Sequence, residues 1–378
     1  MAFELYRTQD GKRLRCGYTT GTCAALAAKA AARALLTGTV PAEETVVTPK
    51  GPAVTVSIRA LPPENGQIAC AVQKDGGDDV DATSGAWIGA AVEKRPEGVA
   101  IDGGRGVGRV TKPGLDQPVG NAAINSTPRR MIAEAVAEVA ADCGYTGGFA
   151  VTIFVPDGEE LAKKTFNPML GITGGISILG TGGIVEPRSL KALLDSLAVE
   201  VRVHGASGVR DLIMTPGNYG EHFLQKFPGL ASMPQVKCAN FIGDTLDLCG
   251  DNGIETVLLV GHLGKMVKIS GGIMDTHSRV ADCRTELFAA HAALHGATQD
   301  QVRRILDAAT SDACIEILDE AGLRKPVLDS ITDAAQSHLT RRAAGRLQVG
   351  LVTYSNVYGL LTVSHTAKEI LTDWGQSL

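Results

Sequence analysis

Aromatic side chains are scarce: only 4% of the 378 residues are Phe, Trp or Tyr. The cores are therefore expected to be aliphatic and, with 45 glycines, tightly turned. Positive charge is not in excess either. Thirty-six Lys and Arg face 41 Asp and Glu, a net charge of −5. That excludes a global attraction to nucleic acid or to an anionic membrane, so a polyanionic ligand would need a local basic patch. Long apolar runs are missing. The best, Cys23 to Leu36, is broken by Lys29 and Arg33 and cannot span a bilayer. The eight cysteines include no C-x-x-C pair, and no tight His/Cys set has zinc-site spacing. Met1 to Arg15 is charged and lacks the apolar centre of a signal peptide, so reduced thiols and a cytoplasmic location are expected. Long repeats and low-complexity blocks are absent from the sequence.

What the chain does have begins with Gly171 to Leu190. Ile176 to Leu179 reads as a short buried strand, Gly180, Gly182 and Gly183 as a turn, and Glu186-Pro187 as the opening of a helix to about Ala198. Strand, turn and helix N-terminus together suggest a ligand cradle of backbone N–H groups, with Thr181 offering a hydroxyl. The dinucleotide fingerprint is half met, because Val185 stands at the third glycine's place. A glycine-rich turn without ligand fits the local residues equally well.

In the first half, Thr19, Thr20 and Thr22 precede an alanine-rich helix from Cys23 to Leu36, stopped by Gly38. They could hold a carboxylate or simply cap the helix. Strand-like runs follow at 45–48, 53–59 and 67–72, alternating as in a half-buried antiparallel sheet. Lys74 to Thr83 carries four carboxylates and reads as a solvated acidic turn, because the bidentate glutamate of a calcium loop is missing. Arg105, Arg109 and Lys112 lie in or just after a glycine cluster, which suits carboxylate-rich ligands. Ser126 or Thr127 is expected to cap a helix to Cys143, with Pro128 in its first turn. Arg129 and Arg130 then sit at the positive end of the dipole and call for a compensating anion.

From Gly171 onward, strands and helices alternate, which implies a mostly parallel sheet with ligands beyond its carboxyl edge. Strands are expected at 176–179, 212–214, 238–242 and 256–260, with a last one at 347–354. Their ends carry Thr181, Thr215, Asn218, Asp244 and His262. Asp244 could hold ribose hydroxyls, His262 is a strand-end imidazole, and Lys265 follows it. A second glycine-rich turn at 269–279 leads to a helix at 280–295, and 301–345 reads as two amphipathic helices.

Several ordered motifs closely resemble the CbiD family: Gly17-Tyr-Thr-Thr-Gly-Thr-Cys-Ala-Ala, Lys74-Asp-Gly-Gly-Asp-Asp and Asp81-Ala-Thr-Ser-Gly85. So do Gly103-Gly-Arg-Gly-Val-Gly, Ile124-Asn-Ser-Thr-Pro-Arg-Arg-Met, Gly175-Ile-Ser-Ile-Leu-Gly-Thr and Gly261-His-Leu-Gly-Lys. The resemblance runs from about residue 13 to the tail. One departure is Thr181-Gly182-Gly183, where a second threonine is expected after Thr181. The family comprises cobalt-precorrin-5B C(1)-methyltransferases, so the resemblance implies transfer of a methyl group from S-adenosyl-L-methionine to C-1 of a cobalt tetrapyrrole, in anaerobic cobalamin biosynthesis. The cobalt arrives inside the substrate, and no protein metal site is required.

Together these readings give an α/β protein. An α+β domain at 1–157, with a mainly antiparallel or mixed sheet, is expected to contact the tetrapyrrole through Thr19, Thr20, Thr22, Arg105, Arg109, Lys112, Arg129 and Arg130, joined by Lys265. A Rossmann-like domain at 158–378, with a helical C-terminal segment, is expected to bind S-adenosylmethionine through Gly180, Thr181, Gly182, Gly183, Thr215, Asn218 and Asp244. His262 and Asp244 are the candidates for a base. Neither nucleic acid nor membrane is an expected partner, and a homo-oligomer is left open. A nicotinamide-dependent reductase and a non-catalytic tetrapyrrole carrier are the rival readings.

Overall fold

A computed structural model describes residues 3–9, 11–64 and 67–378. The chain forms two compact units, one up to Leu190 and one from Lys191 to Leu378. The expected boundary at 157 is thus corrected. Residues 158–190 pack with the first half, because Gly175–Ile176 pairs with Gly106–Val107 and Ile184–Val185 pairs with Gly17–Tyr18.

The first unit is built on a five-stranded sheet in the order Arg59–Glu64, Gln67–Gln73, Trp87–Arg95, Gly148–Phe154, Val99–Gly103. All its pairs are antiparallel except the last, which is parallel. The helix Thr20–Thr37 lies against this sheet with its alanines buried on nearly every face. A helix apolar all round belongs inside a core. Its ends follow from the sequence: Thr19 caps the start by accepting from the Thr22 N–H, and Gly38 closes it at φ +77°, a left-handed conformation that favours glycine. Lys29, which interrupts the apolar run, is buried but donates to Glu138 at 2.8 Å and to the carbonyl of Thr45. The acidic turn is held by its own side chains. Asp75 accepts the Gly77 N–H, Asp81 accepts the Thr83 N–H, and Lys74 pairs with Asp81.

The second unit carries a five-stranded sheet in the order Gln235–Lys237, Asp211–Thr215, Thr256–His262, Gln348–Ser355, Gly359–Val363. The first four strands are parallel and the last is antiparallel. Leu212, Ile213 and Met214 are all fully buried, as are Val257 to Val260. Such continuous apolar runs mark strands covered on both faces. Alternate residues confirm it. Leu212, Met214 and Leu259 pack with Leu246 and Leu339 on one side; Ile213, Leu258 and Val260 pack with Phe223 and Leu371 on the other. The molecule is therefore a mixed α/β protein with mixed sheets.

Several elements differ from expectation. The strand expected at 238–242 lies earlier, at Gln235–Lys237, with Ile242 opening the helix Ile242–Asp251, and that expected at 176–179 is reduced to Gly175–Ile176. The strand Gly359–Val363 adds an edge, and 299–343 folds as three helices rather than two: Gln299–Leu306, Ser311–Glu320 and Arg324–Ala343. The first break is capped by Thr310, whose side chain accepts the Ala313 N–H, and the second falls at Gly322, at φ +69°.

Candidate functional site

In chain order the strand Asp211–Thr215 comes first, the next strand is laid on one side of it, and the rest on the other. Strand order thus reverses between Asp211–Thr215 and Thr256–His262, the place where open α/β sheets leave a crevice beyond the carboxyl ends of their strands. A cavity of about 1060 Å³ lies there, lined by Pro216 to Gly220 after the first strand and by His262, Gly264 and Lys265 after the other. Tyr354 and Asn356 come from the fourth strand's end. Thr276 to Ser278, Asp282 and Thr310 to Asp312 come from the long crossover between the two.

His262 ends its strand and caps the helix Leu263–Ser270. Its Nδ1 accepts the Gly264 N–H at 3.1 Å. A neutral imidazole whose Nδ1 accepts must carry its proton on Nε2. Burial pushes its pKa below the ordinary histidine value, with Asp312 opposing, so the neutral ring is favoured. The ring stands edge-on to Tyr354 with centroids 5.7 Å apart. Lys265 donates to the carbonyls of Pro216 at 3.0 Å and Ala239 at 3.3 Å; burial lowers its pKa, and Lys268 adds to the effect. Among the described residues it has no carboxylate partner within ion-pair distance. Asn218 opens the helix Asn218–Leu224, and its Oδ1 accepts from Lys237 at 3.2 Å.

Across the cavity, Arg284 forks onto Asp282 at 2.7 and 3.1 Å, and Lys268 lies 3.6 Å from the same carboxylate. Asp312 accepts the Ser355 hydroxyl at 2.6 Å on Oδ1. Ser311, in the first turn of the helix Ser311–Glu320, is 5% exposed, and its hydroxyl has no partner. These residues escaped the sequence reading because their segment reads as amphipathic helix. The signal present was Thr310-Ser311-Asp312 ahead of an apolar run, a helix start.

Of the expected site residues, Asn218, His262 and Lys265 meet in this cavity. Thr215 is fully buried with an unpartnered hydroxyl but is not in the lining; its Cγ2 lies beside Gly220 instead. Asp244 is exposed in the first turn of Ile242–Asp251 and also stays out of the lining, so it is not placed as a base or ribose ligand here.

The glycine turn is corrected. Gly180, Thr181, Gly182 and Gly183 lie in the first unit, with no helix N-terminus over a parallel sheet. An added Cβ would meet Thr19 at 2.5 Å from Gly180, Lys50 at 2.8 Å from Gly182 and Thr48 at 2.7 Å from Gly183. The chain's own side chains fill the supposed cradle.

The threonines do the complementary work. Thr20 accepts the Leu179 N–H at 2.8 Å and Thr22 donates to the Gly183 carbonyl at 2.7 Å, so both lock the turn rather than wait for a carboxylate.

The basic set divides in two. Arg109 forks onto Asp102 at 2.7 and 2.9 Å. Arg129 donates to the carbonyls of Ile124 and Ile101, both at 2.8 Å, and burial lowers its pKa. Arg105 is exposed with no side-chain partner among the described residues, Arg130 has only Glu134 at 3.9 Å, and Lys112 packs over Gly171. Asn125, not Ser126 or Thr127, is the cap of Ser126–Asp142. The compensating anion there is Asp116, which accepts the Ser126 N–H at 2.8 Å.

The sheet order and the cavity at its carboxyl edge define the second unit as an α/β unit with a crevice where its strand order reverses. Residues 7–187 match the family model described as CbiD, and residues 275–365 match that of the CbiD C-terminal domain. A cobalt-precorrin-5B C(1)-methyltransferase of Ruminiclostridium cellulolyticum is 49% identical, covering 94% of this chain and 92% of its own. A protein of the same description from Alkaliphilus metalliredigens is 40% identical, covering 97% of each. A solved cobalamin biosynthesis protein (cbiD) from Archaeoglobus fulgidus is 33% identical, covering 73% of this chain and 86% of its own, with a TM-score of 0.40. The chain belongs to the CbiD family.

Proposed function

We propose that this chain is a cobalt-precorrin-5B C(1)-methyltransferase, which methylates C-1 of a ring-contracted cobalt tetrapyrrole to give cobalt-precorrin-6A in anaerobic cobalamin biosynthesis. The observation that carries this reading is near-full-length similarity, at 49% identity, to a relative of that description.

The methyl donor is assigned as S-adenosyl-L-methionine, held in the second unit's cavity. That sheet reads as Rossmann-like from its four parallel strands and their reversal of order. The volume suits a cofactor-sized ligand. Asn218, His262 and Lys265 would hold it, and the unpartnered Ser311 hydroxyl fits a polar ligand there. When bound, the donor supplies an electrophilic sulfonium methyl. The chain's contribution is position, and no protein nucleophile is required. His262, with Nδ1 engaged, serves as an Nε2–H donor and not as a base. Of the basic residues expected to meet the substrate's carboxylates, Arg105 has no side-chain partner among the described residues and Arg130 only Glu134 at 3.9 Å, which leaves these two for that role. A cytoplasmic location suits eight unbridged cysteines.

The test is incubation with methyl-labelled S-adenosylmethionine and the cobalt intermediate, followed by mass analysis. A product heavier by one labelled methyl group is expected. Tight binding without label incorporation would replace the enzyme with a carrier, and thermal protection by NADPH alone would replace it with a reductase.

A further inference from the structure

We propose that Ser311 and Asp312 receive the α-ammonium of the donor's amino-acid tail, while Lys265 receives its α-carboxylate. This assignment rests on reading the cavity as the donor site, and it adds two receptor residues that the motifs do not reveal.

The argument starts from charges left uncompensated. Five residues in the lining carry permanent charge: Lys265, Lys268, Asp282, Arg284 and Asp312. Arg284 and Lys268 share Asp282, and this cluster keeps one positive charge in excess. Lys268 is further tied to the carbonyls of Ala281 at 2.8 Å and Thr276 at 3.2 Å. Lys265 and Asp312 form no ion pair among the described residues, though Asp275 acts on Lys265 from outside the lining. The lining is positive by one charge, so Asp312 is the place in it that favours a cationic group, while Lys265 offers a carboxylate its complement.

Each end has capacity to spare. An ammonium group has three N–H donors, and Lys265 uses two on the carbonyls of Pro216 and Ala239. Asp312 accepts from Ser355 on Oδ1 only, and Oδ2 accepts from no described group. Beside it, Ser311 lines the cavity, and its hydroxyl is buried without a partner. Buried hydroxyls are normally satisfied, so one left open at a cavity wall points to a ligand atom that completes it. Next to a carboxylate, that atom is best a donor, and the hydroxyl and Asp312 can share one ammonium. The Ser311 Oγ lies over Gly264, where an added Cβ would come within 3.2 Å of it.

Calorimetric titration of the full chain with three probes tests this: S-adenosylhomocysteine, its analogue lacking the amino group, and methylthioadenosine, which lacks the tail. Asp312→Asn should weaken S-adenosylhomocysteine about tenfold to a hundredfold, and Ser311→Ala about fivefold. Both should leave the deamino analogue and methylthioadenosine at wild-type affinity. Lys265→Met should weaken both carboxylate-bearing probes and spare methylthioadenosine. Ser311→Ala removes a group with no protein partner, so its folding is not at issue. Thermal unfolding checks the other two variants. Unchanged S-adenosylhomocysteine affinity in Ser311→Ala and Asp312→Asn would overturn the assignment with the donor site intact, as would equal loss for the deamino analogue. Failure of the wild type to bind any of the three would remove the donor site itself.

Discussion

The backbone N–H of Gly264 lies 3.1 Å from Nδ1 of His262, and that contact determines what the imidazole can offer the cavity. With the Nδ1 lone pair occupied, the neutral ring has a hydrogen to give on Nε2 and no lone pair to receive one. A general base contributes about a hundredfold to ten-thousandfold to rate, so its removal is conspicuous. His262→Gln, which keeps an N–H donor, should therefore hold kcat within about tenfold of wild type. A fall beyond a hundredfold in labelled-methyl turnover would restore the base.

The same ring gives a pH signature. Burial lowers its folded pKa below the unfolded value of about 6.5. Between the two values the unfolded chain binds more protons, so stability falls as pH drops through that window. Thermal melts from pH 7 to pH 5 should show a loss that His262→Gln reduces. Nitrogen NMR should report an unprotonated Nδ1 at pH 7.

Glu200 behaves oppositely. Burial raises its pKa to about 7, Glu221 adds to this, and Lys237 opposes it. The folded state then holds a proton that the unfolded state has released between about pH 4.5 and 7. This contribution to stability is present at low pH and is lost as pH rises toward 7. Glu200→Gln should raise the melting temperature at pH 8, by an effect of order 1–3 kcal/mol, and change little at pH 5. Equal shifts at both values would show that the carboxyl is not protonated in the folded state.

Gly180 is required for packing. Its φ is +131°, and a Cβ would lie 2.5 Å from Thr19, inside the cap of the alanine helix. Gly180→Val should cost roughly 2–4 kcal/mol of first-unit stability, through overpacking and backbone strain together. The folded fraction should bind S-adenosylhomocysteine normally. Calorimetry and denaturant melts on one preparation separate the two effects, and lost affinity at unchanged stability would count against this account.

The arginines should separate by what they already hold. Arg129→Ala strands two carbonyls in a half-buried setting and should cost about 1–3 kcal/mol of stability. Arg105→Ala should change stability by less than about 0.5 kcal/mol yet weaken the tetrapyrrole in a spectral titration. A native titration curve for Arg105→Ala would remove it from the substrate's surroundings.

Much of the fold was legible in the sequence. The alanine helix, its stop at Gly38 and the alternation of strands and helices after Leu212 all follow from local chemistry. The site was less so. Gly180 to Gly183 has the composition of a phosphate turn, but glycine is equally what close packing against Thr19, Lys50 and Thr48 demands, and sequence does not distinguish a ligand from a neighbouring side chain. Arg109 is just as misleading, because its partner Asp102 is near in sequence and takes both guanidinium nitrogens. His262 and Lys265 line the cavity where they were expected, because strand ends in parallel sheets are predictable places. Ser311 and Asp312 were missed because they reach the same place from a crossover with no such rule.

That crossover, from Leu263 to Leu347, joins two strands that lie side by side. A connection between adjacent parallel strands can grow without disturbing either, so the sheet tolerates almost any insert of the right handedness. Here, though, about half of the pocket wall comes from a segment that also packs the sheet, through Met266, Ile269 and Leu339 among others, so wall and framework are fastened by the same stretch of chain.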